Sequence, residues 1–308
     1  MCEKFSAIFT SLLLLVALPH VYAHGFVARV IIDGKSYEGN HPSGHTNPSP
    51  IRKISTQDPN YGANNPALNC GPDAEAGSLV ADARPGSKIQ FIWTDAAGGN
   101  WPHNTGPIIT YLGLCGSITA DKCDSTTVKW YKIHQHGKKP NGHWVQEDLM
   151  SRAPATMTLP LDLAPGNYLI RHEIISLHLA AQGKAEFYPS CVQIKVGGNG
   201  KGGPSPNDLV TFPGCYQDSD PGIRLDPFND REYEFPGPSI AQLIGSGSGV
   251  SINNKDPASL DQPTSSVAPM FKYSAKAGVK SVPTPVAQSS KKNCQRRDGT
   301  HEIKARKH

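Results

Sequence analysis

Four histidines differ from the others in this sequence by their surroundings, and they are candidates for binding a metal ion. The chain holds twelve histidines in 308 residues. His20 belongs to an apolar N-terminal stretch, and His301 and His308 lie near the C-terminus. Neutral imidazole is a ligand for zinc, copper, iron and nickel, so the other ligands at a site decide which metal is expected. The four candidates are His24, His103, His172 and His178.

Five further histidines are expected to be loop residues, because they lie in polar stretches that contain Gly, Pro or Lys. The spacing His134-x-His136, with His143 nearby, would allow adventitious metal binding. No Cys or carboxylate pattern accompanies it, so the sequence does not predict a zinc site there. The five are His41, His45, His134, His136 and His143.

His24 acquires a second nitrogen ligand if the mature chain begins there. Residues 5–18 form an apolar run after Lys4, and the run is followed by Val21-Tyr22-Ala23. This pattern predicts a signal peptide over residues 1–23, and an apolar run of about 14 residues is short of the ~20 that a spanning helix needs. The mature protein is therefore expected to be secreted, with no membrane span. A first-residue His offers its amine and its ring nitrogen to one ion, and a second imidazole completes a planar three-nitrogen set that suits copper. In an uncleaved chain the amine is an amide, and this site cannot form.

The cysteines agree with an exported protein. Six remain after the predicted signal peptide, and an even number in an exported chain predicts disulfide bonds without fixing their connectivity. No CxxC or similar zinc pattern is present.

Composition divides the mature chain near residue 245. Residues 24–244 carry 18 Lys and Arg against 21 Asp and Glu, whereas residues 245–308 carry 11 against 4. The second part is rich in Ser, Pro, Lys and Gly, which predicts a disordered basic tail. Such a tail could adhere to anionic wall polymers, or it could be a solvated linker with no partner, which is the more common case. Nucleic acid is not expected as a partner of an exported protein.

The first part, residues 24–244, is predicted to be an all-β domain. Its apolar runs are short, several alternate with polar residues, and Gly- and Pro-containing turns separate them. The absence of a sustained helical period favours an antiparallel β-sandwich. The predicted strands cover residues 26–32, 88–93, 107–112, 166–171 and 191–196.

Several segments, in order along residues 24–240, closely resemble the fungal lytic polysaccharide monooxygenases of auxiliary activity family 9. The most specific is IRHEIISLHLAAQGKAEFYPSC over residues 170–191. The others are His24-Gly25, Asn69-Cys70-Gly71, WPHNTGP over residues 101–107, and the Gly/Pro-containing segments 212–214, 220–222 and 235–238.

This resemblance implies an immunoglobulin-like or fibronectin-like antiparallel β-sandwich with long loops and a flat copper-bearing face. It implies that His24 and His103 clamp one copper ion, that Tyr188 is the axial residue, and that His178 hydrogen-bonds bound oxygen species. It also implies the disulfides Cys70–Cys191 and Cys115–Cys123.

Each of these residues also has a purely structural interpretation. Taken alone, His103 would be a loop residue, Tyr188 a core aromatic with a satisfied hydroxyl, and His178 a hydrogen-bonded structural histidine. Nothing assigns His172 to copper, and it is expected to be structural. The ordered co-occurrence of the segments favours the metal-site interpretation for the first three.

Three positions depart from the family pattern. Glu186 lies where the family has Gln, and a carboxylate only accepts hydrogen bonds unless it carries a proton. Segment 224–233 is shorter and more charged than usual, which leaves Phe228 and Tyr233 as candidates for contact with sugar rings, with internal packing an equal alternative. Cys215 could pair with Cys294 or stay free.

The function expected from the resemblance is oxidative cleavage of glycosidic bonds in cellulose or related β-glucans, at C1, C4 or both. It requires copper, an external electron donor, and O2 or H2O2, and the protein is expected to act as a monomer. Glu186 and the charged segment 224–233 leave open a copper-binding or copper-handling protein without this activity. A third alternative is a structural wall protein anchored by its basic tail.

Overall fold

The computed structural model of the chain describes residues 23–229 and 231–245. The predicted signal peptide before Ala23 and the predicted basic tail after Gly245 lie outside the described residues, so both remain predictions. Within the described ranges, no helix is long and apolar enough to cross a membrane.

Two β-sheets form the described part of the chain, and the predicted β-sandwich is confirmed. One sheet has the strand order β2-β1-β4-β7 and the other β3-β9-β8-β5-β6. All neighbouring strands are antiparallel except β3 and β9, which are parallel. The strands are β1 (Gly25–Ile32), β2 (Lys35–Glu38), β3 (Ala81–Ala83), β4 (Lys88–Asp95), β5 (Ile108–Leu114), β6 (Trp130–His136), β7 (Ala155–Thr158), β8 (Gly166–Ser176) and β9 (Glu186–Val196).

All five strands expected from the sequence are present, as β1, β4, β5, β8 and β9. Helical structure among the described residues is limited to the four-residue helix α1 (Gln146–Leu149) and three short 3-10 segments, Pro66–Leu68, Ala180–Gln182 and Pro206–Asp208.

One hydrophobic core lies between the two sheets. Alternating residues of β1 and β4, such as Val30 and Phe91, pack against residues of the five-stranded sheet, such as Ile170 and Val192. Successive side chains of a strand point to opposite faces, so this core takes only every second residue of β8 and β9.

The opposite face of the five-stranded sheet carries a second core beneath the long loops. Leu169, Ile175 and Phe187 contribute to it from the sheet, and Leu68 and Phe212 contribute from the covering loops. Strands β8 and β9 are therefore buried on both faces, and a shift of one residue in their register would exchange the contents of the two cores.

Two disulfides hold the covering loops, and both pairings implied by the family resemblance are present. Cys70 is bonded to Cys191 of β9, and Cys115 is bonded to Cys123. Cys215 has no disulfide partner among the described residues. Cys294 lies outside them, so a Cys215–Cys294 bond stays a prediction.

A fully buried ion pair lies in the second core. Arg171 and Glu173 of β8 are two residues apart and have no exposed surface. Both carboxylate oxygens of Glu173 accept from the Arg171 guanidinium, at 3.0 and 2.5 Å, and Arg171 Nε donates to the carbonyl of Leu68. Tyr216 donates a further hydrogen bond to Glu173 at 2.9 Å. Burial alone would lower the pKa of Arg171, but the Glu173 carboxylate raises it above its ordinary value.

We expect Glu173→Gln to lower the free energy of unfolding by about 3–5 kcal/mol, because it leaves the Arg171 charge buried without its counter-ion. Urea denaturation followed by tryptophan fluorescence measures the change. The matched control is Glu38→Gln, which removes an exposed carboxylate 3.1 Å from Arg29 and should cost less than about 1 kcal/mol. Equal losses in the two variants would contradict the structural role of the buried pair.

Candidate metal centre

His24 is held in place by the strand that begins directly after it. Gly25 opens β1 and pairs with Asp95 of β4. A Cβ atom at Gly25 would lie 2.3 Å from the carbonyl oxygen of Thr94, so only glycine fits this close approach. The first residues of β1 are thereby fixed against the end of β4, and His24 lies directly before them at the end of the sheet.

His103 is positioned by a buried tryptophan. It lies in the connection between β4 and β5, two residues after Trp101, which has no exposed surface. The indole of Trp101 packs edge-on against the rings of His103 and Tyr188, with centroid distances of 5.4 and 4.9 Å. Trp101 is itself anchored by a hydrogen bond from Nε1 to Gln146 at 3.3 Å.

The other candidate residues come from the β8–β9 hairpin. Glu186 and Tyr188 open β9 and, being two residues apart, point to the same face. Ser176, the last residue of β8, pairs with Glu186. His178 follows in the connecting loop, and its Nδ1 lies 3.0 Å from the Ser176 hydroxyl.

These elements bring the three predicted copper ligands together. The ring centroids of His24 and His103 are 6.4 Å apart, and each lies just over 6 Å from the ring of Tyr188, at 6.4 and 6.1 Å. The Tyr188 hydroxyl is 3.3 Å from Nε2 of His103. No contact between these three residues is local in the sequence.

The backbone of Ala23 lies close enough to the His103 side chain to oppose slightly the lowering of its pKa by burial. The peptide group that joins Ala23 to His24 therefore lies beside the second imidazole. Cleavage of that peptide bond would release the His24 amine at this position, where it could act as a third nitrogen ligand.

Glu186 lies at the centre of the site rather than at its edge. Its side chain is only 4% exposed. Tyr188 donates to Oε2 at 2.8 Å, and His103 Nε2 lies 3.3 Å from the same oxygen. Nε2 of His178 is 3.8 Å from Oε1, and the His178 ring stacks on that of His103 at 4.6 Å. A ligand atom from each of His103, His178 and Glu186 lies within 4.8 Å of the others.

The electrostatic environment favours neutral His103 and protonated Tyr188. Burial lowers the pKa of His103 to about 4, against a partly opposing effect of the Glu186 carboxylate. A neutral imidazole nitrogen is therefore available as a ligand even in mildly acidic solution. Burial, with the Glu186 carboxylate next in effect, raises the pKa of Tyr188.

These donors fit a copper ion. Two imidazoles, together with the His24 amine that cleavage after Ala23 would release, would form the nitrogen-rich set that suits copper, and a phenol lies beside them. The buried Glu186 would be the outer partner that orients Tyr188 and adjusts the charge at the metal.

Two residues that the sequence did not suggest also border the site. Tyr61 donates to Glu186 Oε1 at 3.3 Å, and Asp58 Oδ1 lies 3.3 Å from Nδ1 of His24. Burial, followed by the Glu186 charge, raises the pKa of Tyr61. Both residues lie in an irregular segment more than 100 residues from Glu186, and nothing in their spacing indicates this contact.

Two of the remaining histidines lie in a strand, whereas the sequence suggested that they lie in a loop. His134 and His136 lie in strand β6, so the loop expectation was wrong for these two. The pairing of β6 with β5 outweighs the local polar composition. His172 is structural, as expected. It is 1% exposed, stacks on Phe91 at 3.7 Å, and is hydrogen-bonded to Thr110 at 2.9 Å.

The two aromatic candidates for sugar contact have different environments. Phe228 is 71% exposed, whereas Tyr233 is only 9% exposed. The ring of Tyr233 packs against Trp144 and Phe235, and its hydroxyl donates to the carbonyl of Gly222 at 2.7 Å. Tyr233 is therefore an internal packing residue rather than an exposed stacking surface, which corrects the sequence-based candidate.

The class that fold and site define is a β-sandwich with a candidate metal site of two histidines and a tyrosine, and comparison with known proteins specifies the family. Residues 24–235 match the model of Auxiliary Activity family 9, formerly GH61. The chain belongs to this family, whose members are copper-dependent lytic polysaccharide monooxygenases.

Relatives and solved structures agree with this assignment. The chain is 52% identical over 241 residues to AA9 family lytic polysaccharide monooxygenase D of Gloeophyllum trabeum, covering 76% of this chain and 69% of the relative. It is 38% identical over 248 residues to monooxygenase B of Malbranchea cinnamomea, covering 76% and 98%.

Among solved structures, Cel61B of Hypocrea jecorina is 30% identical, with a TM-score of 0.65 and coverage of 70% of this chain and 100% of that chain. A cellulose-active polysaccharide monooxygenase from M. thermophila is 31% identical, with a TM-score of 0.64 and coverage of 72% and 100%.

Replacing His172 with Gln is expected to flatten the pH dependence of stability in acid. Burial lowers the pKa of His172 well below its ordinary value of 6.5. As the pH falls below about 6.5, His172 in the unfolded chain binds a proton that the folded chain excludes. The free energy of unfolding then drops by about 1.4 kcal/mol per pH unit.

Urea denaturation of wild type and His172→Gln, from about pH 8 down to about pH 4.5, measures this slope. The free energy of unfolding of each protein is compared with its own value at the upper pH, which removes any pH-independent effect of the substitution. Parallel curves for the two proteins would rule out His172 as a source of acid destabilisation.

Proposed function

We propose that this chain is secreted, loses residues 1–23, binds one copper ion through His24 and His103 with Tyr188 beside it, and oxidatively cleaves glycosidic bonds of cellulose or a related β-glucan. The observation that carries this proposal is the convergence of His24, His103 and Tyr188 from three separate segments. The protein is proposed to act as a monomer.

The protein's own residues have distinct roles in this proposal. His103 presents a neutral nitrogen, because burial lowers its pKa to about 4. Tyr188 is held by Glu186 through the 2.8 Å hydrogen bond from its hydroxyl, so its position relative to the histidines is fixed. His178, with its side chain 30% exposed, would present a hydrogen-bonding group on the open side of the site.

A bound copper ion would supply the one-electron redox chemistry that uses an external donor to activate O2 or H2O2. The protein's part is to fix the ligands, to supply outer hydrogen bonds, and to hold the sugar chain beside them. Hydroxylation at C1 or C4 next to a glycosidic bond would then break the chain, and no separate pair of hydrolytic carboxylates is needed.

Cellulose is proposed as substrate because a similar solved structure is described as a cellulose-active polysaccharide monooxygenase. The exposed Phe228 is the remaining aromatic of segment 224–233 that could contact a sugar ring. Products oxidised at C1 and at C4 differ chemically, so product analysis settles the position of attack together with the substrate.

A copper-binding protein without glycan oxidation is the second candidate, and Glu186 is the observation that favours it. The carboxylate brings negative charge within 3.3 Å of His103, where the family pattern has an uncharged amide. This charge would stabilise the oxidised, more positive state of a bound ion and so disfavour its reduction.

We expect the protein with a free His24 amine to bind copper tightly, and a variant that retains Ala23 to bind it far more weakly. Loss of a direct ligand should exceed the roughly 100-fold weakening that loss of an outer partner can cause. Competition titration with a chelator measures the two affinities.

The same two proteins, copper-loaded and supplied with a reductant, are then incubated with cellulose, xylan and β-glucan. Mass spectrometry should detect oxidised oligosaccharides from the free-amine protein alone. Tight copper binding with neither oxidised sugars nor peroxide would favour the second candidate over the monooxygenase.

In the proposed monooxygenase, Glu186→Gln should lower the rate of glycan oxidation by about 10- to 100-fold, in the range found for outer partners of metal ligands. In the second candidate, where the Glu186 charge disfavours reduction of the ion, the same change should raise the rate instead. The loss is expected because Glu186 accepts hydrogen bonds from the hydroxyls of Tyr188 and Tyr61, one at each carboxylate oxygen, and an amide can accept at only one of these two positions. The rate of oxidised product and the rate of peroxide formation without glycan are both measured, with copper loading checked by spectroscopy. Unchanged values of both rates would show that Glu186 does not affect oxidant handling.

A further inference from the structure

Tyr61 connects the surface of the protein to the buried centre of the site. Its hydroxyl donates to Oε1 of Glu186 at 3.3 Å, while the residue as a whole is 50% exposed. Single exposed aromatic residues are common and need no explanation. Tyr61 differs because its polar end contacts a buried carboxylate that also contacts His103 and Tyr188.

The backbone around Tyr61 is fixed against β9. Asn60 exchanges two backbone hydrogen bonds with Phe187, at 3.0 and 2.9 Å, and its side-chain amide donates a third to the same carbonyl. Asn65 Nδ2 donates to the carbonyl of Tyr61 at 3.2 Å. Phe187 directly follows Glu186, and Tyr61 directly follows Asn60. The pairing of Asn60 with Phe187 therefore fixes Tyr61 next to Glu186.

The four polar neighbours of Glu186 divide between its two oxygens. Oε2 faces Tyr188 and His103, whereas Oε1 faces Tyr61 and His178. The Oε2 pair belongs to the proposed ligand set. The Oε1 pair is more exposed, and Tyr61 is the member with an aromatic ring at the surface.

The chemistry of tyrosine suits contact with a sugar. A phenol combines an apolar ring with one polar end, and here the polar end already has a partner. The exposed ring is left to pack against the C–H face of a pyranose. A glycan on this ring would lie directly over the carboxylate that orients the histidine site.

We propose that Tyr61 is a positioning and specificity residue, whose ring packs on the bound glycan while its hydroxyl orients Glu186. Binding of substrate is thereby communicated to the metal centre through one side chain. This inference rests on the proposed function and adds to it a residue that couples glycan binding to the site.

Two substitutions separate the two parts of the proposal. Tyr61→Phe removes the hydroxyl and keeps the ring, and Tyr61→Ala removes both. Tyr37→Phe is the matched control, because Tyr37 is a partly exposed tyrosine of β2 whose ring contacts Lys35 rather than the site. Thermal unfolding of each variant confirms that it is folded.

The first readout is the affinity of metal-free protein for a soluble cello-oligosaccharide, which does not depend on catalysis. Tyr61→Phe and Tyr37→Phe should bind like wild type, and Tyr61→Ala should bind about 3- to 10-fold more weakly, as expected for the loss of one aromatic contact. Wild-type affinity in Tyr61→Ala would overturn the sugar-contact role.

The second readout is the electron paramagnetic resonance spectrum of the copper-loaded proteins, with and without the oligosaccharide. The wild-type spectrum should change on adding the sugar, and this change should be lost in Tyr61→Phe and kept in Tyr37→Phe. An identical response in Tyr61→Phe and wild type would overturn the positioning role.

Failure of the proposed function gives a different result from failure of this inference. If wild type itself neither binds the sugar nor yields oxidised products, the proposed function fails and the coupling role fails with it. If wild type does both and the Tyr61 variants match it in both readouts, the function stands and the inference alone is wrong.

Discussion

The antiparallel pairing of β8 with β9 is the constraint on which the rest of this structure depends. The pairing is continuous from Gly166 opposite Val196 to Ser176 opposite Glu186, and both faces of the two strands are buried. A change of one residue in register would move apolar and ionic side chains into the wrong core. The same pairing places Glu186 and Tyr188 at the end of the sheet, next to the segments that carry His24 and His103.

Two buried carboxylates lie on opposite faces of the β8–β9 hairpin and have different surroundings. Glu173 faces the loop-covered core, where the guanidinium of Arg171 and the hydroxyl of Tyr216 occupy its oxygens. Its charge is fully matched, and it is not available to a ligand. Glu186 faces the candidate site, where its polar neighbours are two imidazoles and two phenols rather than a guanidinium.

The proposed copper site also requires the predicted cleavage after Ala23. His103, Tyr188 and Glu186 are positioned by packing and strand pairing, so they are in place whether or not the chain is processed. The third nitrogen is different, because it belongs to a peptide group until the bond after Ala23 is broken. If the predicted signal peptide is removed after Ala23, the His24 amine becomes available to complete the proposed site.

The sequence by itself determined the all-β class and five of the strands, because alternating apolar residues are a local signal. The copper-site residues are predictions that its resemblance to family 9 implies. The sequence did not reveal strands β2, β3 and β7, which are short, or β6, which is polar in its second half, and all four are stabilised by their neighbours in the sheets. Only the tertiary structure decided that Tyr233 is internal, that Glu186 is central, and that Tyr61 reaches it. These three outcomes depend on contacts between residues distant in the chain, and burial and hydrogen bonding across such distances leave no periodic trace in a sequence.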